Sequence, residues 1–542
     1  MRLESAEKQL VQNRKQFEKA VSGAQKALKT GRLNSVIAWA QIGAEFACFR
    51  HPGFYNSVTL ESLLLEVADR LDTQKEARVV GERIHIRQPD TNKKRVLHVM
   101  TEAYGAGGHT RVVSGWIRNT SETAVHSVVT TAQQGPLPND IASSIAATGG
   151  GYQSLAASSS NLLTRSFLLR QVSRSWADVV VLHVHPFDAL PVVAFGVASG
   201  PPVIFFNHAD HRFWLGASVA DVVADLRPLG QKITLSRRGV KNSKILPVPI
   251  IRTNPTSSPE IIRRQFDVKK DITVLLTIGD EYKYTPFAGY DFAGIMAKIL
   301  RRNPNVVLFA VGPRQQGRWA KASALVGGRI RAMGVVDWAD LHAVYACADI
   351  YVDGFPVGGT TALLEAGSQG IPIIGLNIQE APHLNASDDI ALEKFNTHAP
   401  SPEAFTASLE NMITQSSLRN QKSAQIKESI ELNHFSPGWN DFLDDIIRSL
   451  PSEHSAKLAI SPNFPPDTAD LFLAGFETAV LERARTPSEN AKNSFGNSVI
   501  KHAGNLSNNE QMRSSLEMLS ETNNVPTLKN SLHLLKKSLR AR

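Results

Sequence analysis

From about Arg95 onward, short apolar runs rich in Val, Ile and Leu alternate with longer segments whose apolar residues recur at helical spacing. Short runs of this kind, bounded by Gly, Pro, Asn or Asp, are typical of buried strands, whereas the longer segments indicate amphipathic helices. The runs that we predict to be strands are 95–100, 127–131, 178–183, 202–206, 232–235, 271–278, 305–311, 329–335, 350–352 and 371–374. Strands that alternate with helices predict an α/β chain with parallel sheets.

The first 90 or so residues have a different pattern, which predicts helices only. Apolar side chains, with Lys, Arg and Gln between them, recur seven residues apart at Leu3, Leu10, Phe17 and Ala24. Further helices are predicted over 35–49 and 59–71. This spacing is similar to a single tetratricopeptide-like pair, but no second copy follows it. We therefore expect an arm used for packing or oligomerisation, in preference to a peptide-binding repeat.

Four prolines between Pro247 and Pro259 interrupt the α/β pattern, since proline fixes φ and lacks an N–H donor. This segment is the clearest domain boundary that the sequence predicts. The expected division is a helical extension (1–92), a first Rossmann-like domain (93–253), a second Rossmann-like domain (254–450) and a polar tail (451–542).

The polar tail is rich in Ser, Asn, Pro and Lys, and helical spacing occurs in it at 469–484 and 530–539. The second of these segments is basic and amphipathic, which is also a pattern of membrane-surface or partner contacts. A solvated, partly disordered tail is the more common outcome for such a composition.

Composition excludes several classes of protein. The chain has 542 residues, 42% hydrophobic and 20% charged, which is typical of a globular protein with room for two large domains. No apolar run reaches the roughly 18 residues of a membrane span, and the N-terminus lacks the apolar core of a signal peptide. Cys48 and Cys347 are the only cysteines and predict neither a disulfide framework nor a metal site. We therefore expect a cytoplasmic protein.

The net charge of +9 is moderate for this length. It is compatible with peripheral contact at the inner face of the plasma membrane, because anionic lipids attract a basic surface. Charge alone does not select among lipid, nucleic acid and phosphorylated substrates. We expect no nucleic-acid partner.

The stretch from Asp349 to Leu376 carries the clearest candidate chemistry. After the predicted strand 350–352, an acidic residue, a proline and the sequence G-G-T-T lead into a helix that begins at Thr360 or Thr361. Free backbone N–H groups and the positive end of the helix dipole meet at such a turn, which suits a phosphate. A plain turn in a parallel sheet is the alternative. Glu365, about one turn into the helix, favours a nucleotide because its carboxylate can accept hydrogen bonds from ribose hydroxyls.

Polar clusters follow the predicted strands of the first domain. His183, His185 and Asp188 follow one strand, and Asn207, His208, Asp210 and His211 follow the next. A third cluster, Ser236, Arg237 and Arg238, follows the predicted strand 232–235. Because parallel strands present their carboxyl ends at one edge of a sheet, these clusters predict one ligand crevice. A metal site is an alternative, but no third ligand accompanies His208 and His211 at reliable spacing. We therefore expect no bound metal.

The C-terminal half resembles the nucleotide-sugar site of GT-B glycosyltransferases. G-G-T-T before a helix is similar to the turn that holds the donor diphosphate in the O-GlcNAc transferase-like group. Lys283, in the loop after the predicted strand 271–278, is similar to the lysine that contacts the same diphosphate. Glu365 matches the ribose-binding Glu of the retaining group that has a pair of Glu residues eight positions apart. Val357 stands where the first Glu of that pair would lie, so the match is a hybrid and leaves the stereochemistry open.

The first domain resembles GT-B chains more loosely. Gly107 and Gly108 lie in a turn similar to the glycine turn that approaches the donor phosphates, and His185 resembles the histidine that touches the donor sugar. GT-B chains often end with a helix that crosses back to the first domain, which predicts that role for 436–450 through Trp439, Phe442 and Ile446.

The resemblance implies two Rossmann-like domains facing across a cleft, with the acceptor bound by the first and the donor by the second. It implies a metal-independent hexosyltransferase without a cofactor, using a UDP- or GDP-linked sugar and a glycan, lipid-linked or protein acceptor, in bacterial polysaccharide, glycolipid or protein glycosylation. The implied catalytic candidates are His109, His185, His208, Asp210 and Lys283. The implied donor-binding residues are Gly107, Gly108, Gly279, Lys283, Gly358, Gly359, Thr360, Thr361 and Glu365. The alternatives are a sugar-nucleotide 2-epimerase and a non-catalytic protein that binds a sugar nucleotide.

Overall fold

The computed structural model describes residues 3–71, 86, 89, 91–105, 108–251, 259–458, 465–483, 495–506 and 510. It begins with three helices, α1 (Leu3–Lys29), α2 (Leu33–Phe49) and α3 (Val58–Asp69). The predicted apolar stripe of α1 is confirmed at Leu10, Phe17 and Ala24, which are buried. Residues 35–48 of α2 are all buried, so this helix has no free apolar face for a second chain. The extension thus packs onto its own chain, where it shares a core with the first sheet.

The first sheet has the strand order β3-β2-β1-β4-β5-β6-β7, with every pair parallel. Its strands are β1 (Lys94–Met100), β2 (Ala124–Thr130), β3 (Tyr152–Ser154), β4 (Val179–His183), β5 (Val203–Asn207), β6 (Val222–Asp225) and β7 (Ser243–Ile245). Its helices are α4 (Gly108–Asn119), α5 (Asn139–Ala147), α6 (Leu155–Ser158), α7 (Leu162–Trp176), α8 (Leu190–Phe195) and α9 (Pro228–Arg237). Burial along the whole of β2, β4 and β5 is expected of parallel strands covered on both faces.

The second sheet has the order β10-β9-β8-β11-β12-β13 and is also parallel throughout. Its strands are β8 (Thr273–Ile278), β9 (Val306–Val311), β10 (Ile330–Gly334), β11 (Ile350–Val352), β12 (Ile373–Leu376) and β13 (His398–Ala399). Its helices are α10 (Pro259–Gln265), α11 (Phe292–Arg302), α12 (Gly317–Ala324), α13 (Trp338–Cys347), α14 (Thr360–Ser368), α15 (Pro402–Thr414) and α16 (Ser416–His434). The predicted β-α-β unit around the glycine-threonine turn is confirmed as β11, α14 and β12.

One predicted strand is wrong. Residues 232–235 lie in α9, and the sheet is instead completed by β6 and β7. Pro228 occupies the first turn of α9, where its fixed φ favours a helix and its missing N–H costs nothing. The apparent apolar alternation of Ile233 and Leu235 is misleading, because Leu235 is 43% exposed.

The helix α17 (Gly438–Ser449) crosses back to the first half of the chain, as predicted. Trp439 Nε1 donates a hydrogen bond to Pro247 O at 2.7 Å, and its ring centroid lies 5.5 Å from that of Trp116 on α4. Ile446 is also buried, and Phe442 is partly buried beside it. The helix therefore ties the two halves together through an aromatic contact.

Part of the polar tail is built into the fold. The helix α18 (Thr468–Glu482) packs Phe472 against Phe287 of the second half, with ring centroids 4.9 Å apart. Asp470 is fully buried between His51 Nε2, at 2.8 Å, and the Arg237 guanidinium, at 2.7 Å. A short helix, α19 (Phe495–His502), follows and contacts α2. The predicted helix at 530–539 lies outside the described residues.

Among the described residues, no helix combines the length and the apolar character that crossing a bilayer requires.

Candidate active site

A cavity of about 520 Å³ lies at the carboxyl ends of both sheets and is lined by both halves of the chain. The predicted site residues that line it are Gly108, His109, His208, Asp210, Gly279, Lys283, Gly358, Gly359, Thr360 and Thr361. Glu365 and His185 do not line the cavity, but each contacts a residue that does: Glu365 contacts Arg111, and His185 contacts Tyr104. Gly107 lies outside the described residues. Because ligands of doubly wound sheets bind at this edge, the cavity is the candidate active site.

The turn before α14 depends on close backbone packing. A Cβ atom on Gly358 would lie 2.5 Å from Asp353 Oδ2, so a larger residue does not fit without a shift. Gly359 donates its N–H to Asp353 Oδ1 at 2.9 Å, and this hydrogen bond holds the backbone of the turn in place. No side chain caps the N-terminus of α14 at Thr360. The first N–H groups of this helix are therefore available to an anionic group in the cavity.

Lys283 lies in the short turn Glu281–Tyr284 that follows β8. Its Nζ donates a hydrogen bond to Gly358 O at 2.8 Å, so the cation lies beside the glycine turn. An anionic group in the cavity could take over this hydrogen bond, because an ammonium group binds a charged oxygen more strongly than a neutral carbonyl oxygen. Lys283 and the N-terminus of α14 lie together at one corner of the cavity, which we call the anion-binding corner.

Glu365 is engaged with protein groups in this structure. Arg111 Nη1 donates to Glu365 Oε1 at 2.7 Å and to Oε2 at 2.8 Å, and Tyr345 Oη donates to Oε2 at 3.1 Å. Burial raises the pKa of Glu365, while the Arg111 guanidinium opposes that rise. Arg111 also lines the cavity, so this ion pair connects the first half of the chain to α14 of the second half.

Two histidines of the first half line the cavity side by side. The ring centroids of His109 and His208 are 4.3 Å apart. His109 Nε2 donates to His183 O at 2.8 Å, and His109 Nδ1 is buried with no hydrogen-bond partner among the described residues. His185 instead stacks on Tyr104, a cavity-lining residue, with ring centroids 5.9 Å apart. His109 and His208 thus line the cavity, whereas His185 contacts it through the ring of Tyr104.

Asp210 is part of an ion-pair network and is not free to accept a proton. Arg227 Nη2 lies 2.7 Å from Asp210 Oδ2, and Arg227 Nη1 lies 2.7 Å from Asp388 Oδ1 in the second half. Arg227 also donates to the main-chain oxygens of His383 and Asn385. Burial would raise the pKa of Asp210, but the Arg227 guanidinium holds it well below its usual range. This buried arginine joins the two halves of the chain.

We expect Arg227→Ala to lower the free energy of unfolding by about 3 kcal/mol, because it leaves two carboxylates without their shared cation. Urea unfolding would measure the loss. Arg118→Ala is the matched control, since it breaks an ion pair with Asp140 in which both side chains are about half exposed. That pair should contribute less than about 1 kcal/mol. Equal losses in the two variants would contradict the importance of the buried network.

Acid should destabilise the protein through its buried neutral histidines. Burial lowers the pKa of His109, His126 and His211 to about 4, against 6.5 when unperturbed. Between these two values the unfolded chain binds more protons than the folded one, so the free energy of unfolding rises with pH over that window. Each such histidine should lower the free energy of unfolding by about 2 kcal/mol at pH 5 relative to pH 7.5. Urea unfolding from pH 7.5 to 5 tests this, and a constant free energy would show that the folded protein protonates these rings.

Sequence reasoning missed three residues that shape the site. Arg111 holds Glu365, Asp353 supports the glycine turn, and Arg227 joins the two halves. Two of them stand beside features identified from the sequence: Arg111 is three positions after Gly108, and Asp353 is the acidic residue directly after β11. The partners of Arg227 in the second half lie more than 150 positions away in sequence, so no local signal showed that it joins the two halves. The described residues contain no group of three or more His, Cys, Asp or Glu able to hold a metal ion.

Comparison with solved structures finds similar architectures. The glycosyltransferase from Rickettsia africae is 13% identical and superposes with a TM-score of 0.50, covering 66% of this chain and 98% of its own. A mutant of the Thermobaculum terrenum O-GlcNAc transferase is 14% identical over 81% of each chain, with a TM-score of 0.49. The sucrose-phosphate synthase from Thermosynechococcus elongatus is 11% identical, with a TM-score of 0.46, over 66% of this chain and 98% of its own.

No family model and no curated protein matches the chain. At these identities the similarity to solved structures concerns architecture. In this chain that architecture consists of two parallel sheets with helices packed on them. The chain has the fold of the GT-B glycosyltransferases.

Proposed function

We propose that this protein is a glycosyltransferase that moves a hexosyl group from a UDP- or GDP-linked sugar to a glycan, lipid-linked or protein acceptor, without a metal ion. One observation carries the proposal. An anion-binding corner and a pair of uncharged histidines line the same cavity from opposite halves of the chain. Both suit transfer from a nucleotide sugar, since a diphosphate leaves while an acceptor hydroxyl gives up a proton.

The donor side of the proposal rests on Lys283 and the turn from Gly358 to Thr361. The departing diphosphate gains negative charge as the bond to the sugar breaks. A fixed cation and uncapped helix N–H groups stabilise that charge without reorganising during the reaction. Arg111 adds a cation beside the diphosphate, and Glu365, which already accepts from Arg111 and Tyr345, offers its remaining lone pairs to ribose hydroxyls.

The acceptor side rests on His208. In the proposed step the acceptor hydroxyl gives its proton to an imidazole nitrogen, its oxygen bonds to the anomeric carbon, and the bond from that carbon to the diphosphate breaks. A general base must be neutral beforehand, and burial lowers the pKa of His208 well below 6.5. Asp210 has its negative charge committed to Arg227, so His208 is the better candidate. The setting that we propose is bacterial polysaccharide, glycolipid or protein glycosylation in the cytoplasm.

Incubation with UDP- and GDP-sugars tests the proposal. The purified protein should release UDP or GDP faster when a cell-envelope extract supplies acceptors, and the sugar should become attached to material in that extract. Addition of EDTA should leave the rate unchanged. Release of a free 2-epimeric sugar without acceptor would indicate an epimerase instead. Nucleotide binding with no turnover of any sugar nucleotide would indicate a non-catalytic protein.

A further inference from the structure

A chain of four hydrogen-bonded histidines crosses the first sheet and ends in the cavity. His126 Nδ1 lies 3.0 Å from His98 Nε2, His98 Nδ1 lies 3.1 Å from His183 Nε2, and His183 Nδ1 lies 3.0 Å from His208 Nε2. The four rings belong to β2, β1, β4 and the residue after β5, which are neighbours in the sheet in that order. Every link therefore joins adjacent strands.

The far end of this histidine chain has a fixed hydrogen-bond direction. Thr120 Oγ1 lies 2.9 Å from Trp116 O and 3.0 Å from His126 Nε2. A carbonyl oxygen can only accept, so the single hydroxyl proton of Thr120 points to Trp116. His126 must then donate from Nε2 to the threonine oxygen.

That direction passes through every ring, because a neutral imidazole has one N–H and one acceptor nitrogen. Burial lowers the pKa of His98 and His183 well below 6.5, and that of His126 to about 4, so these rings are neutral. With His126 donating from Nε2, its Nδ1 accepts from His98. The same assignment then repeats for His183 and for His208. Each of the four histidines carries its proton on Nε2.

His208 is the last member, and its Nδ1 is left with a lone pair. The Nε2–H of His208 is used within the histidine chain, and His208 itself lines the cavity. A ring held in this way presents an acceptor, and never a donor, to a molecule bound there.

We propose that Thr120, His126, His98 and His183 form a positioning relay that fixes His208 as the Nε2–H tautomer, so that its Nδ1 accepts the proton of the acceptor hydroxyl. The catalytic part of this inference rests on the proposed function. When His208 Nδ1 gains a proton, the proton on its Nε2 can move to His183 Nδ1. The Nε2 proton of His183 can then move to His98, and that of His98 to His126. Positive charge can thus leave the cavity while no bond beyond the four N–H groups changes.

The tautomers can be measured without any substrate. In the full-length protein labelled with ¹⁵N-histidine, the His208 signals are identified by their absence in His208→Asn. We expect a protonated Nε2 and an unprotonated Nδ1 at pH 7.5. The opposite tautomer, or an equal mixture of the two, would overturn the relay whatever the protein's activity is.

Thr120 offers a matched pair of variants remote from the cavity. Thr120→Val removes the hydroxyl that sets the direction, whereas Thr120→Ser keeps it. We expect Thr120→Val to give a mixed His208 tautomer and an approximately tenfold lower kcat for transfer with unchanged KM for the sugar nucleotide, and Thr120→Ser to behave as wild type. A pure Nε2–H tautomer with normal kcat in folded Thr120→Val would overturn the relay. If the wild-type tautomer is as expected but no sugar is transferred, the hydrogen-bond chain stands and the catalytic use of His208 fails with the proposed function.

Discussion

Lys283→Ala should lower the turnover of the sugar nucleotide by about a hundredfold or more while the protein remains folded. Loss of one preorganised donor to a developing negative charge typically costs about 10² to 10³ in kcat, or roughly 3–4 kcal/mol. Lys283 Nζ is 2.8 Å from Gly358 O, next to the uncapped start of α14, so the lost cation lies where the departing diphosphate would be held. Steady-state kinetics of nucleotide release would measure the effect.

The control for this variant is Lys298→Ala. Lys298 is an exposed lysine on α11, so its removal changes the net charge of the protein by the same amount. We expect that variant to keep wild-type turnover. Normal turnover in folded Lys283→Ala would remove this lysine from the site, and equal losses in both variants would point to the long-range field of the protein instead.

The parts of the fold that were predictable from sequence are those with a strong local signal. The strand β11, the glycine turn and α14 follow from β-branched residues, Gly358 and Gly359, and a threonine at the helix start. Lys283 was correctly predicted to lie on the same side as this turn. The loop after a parallel strand lies at the carboxyl-end edge of the sheet, where the turn before α14 also lies.

What was not predictable depends on contacts between residues distant in sequence. Glu365 was predicted to bind ribose, and only the folded chain shows that Arg111 and Tyr345 also donate hydrogen bonds to it. The histidine chain is another example. His98 and His126 sit within buried strands and give no functional signal alone, and only strand order brings them into line with His183. The strand wrongly predicted at 232–235 is the opposite case. A local apolar alternation indicated a strand, but these residues belong to a helix that begins at Pro228.

His208→Ala should reduce transfer by about a hundred- to ten-thousandfold, the range for loss of a general base. Its affinity for free UDP or GDP should stay within a few-fold of wild type, because the anion-binding corner belongs to the other half of the chain. Calorimetry gives the affinity, and a transfer assay gives the rate.

His185→Ala provides the comparison for His208→Ala, because both remove a histidine that follows a strand of the same sheet. His185 stacks on Tyr104 and does not line the cavity, so we expect its loss to cost transfer less than about tenfold, as for a group with no proton to move. If His208 were only structural, its variant would lower the melting temperature and leave the activity of the folded fraction unchanged. A larger loss in His185→Ala than in His208→Ala would transfer the role of proton acceptor to the Tyr104–His185 pair. Because His208 combines a cavity position with a hydrogen-bond chain that fixes its lone pair, and His185 does not line the cavity, we expect the greater loss in His208→Ala.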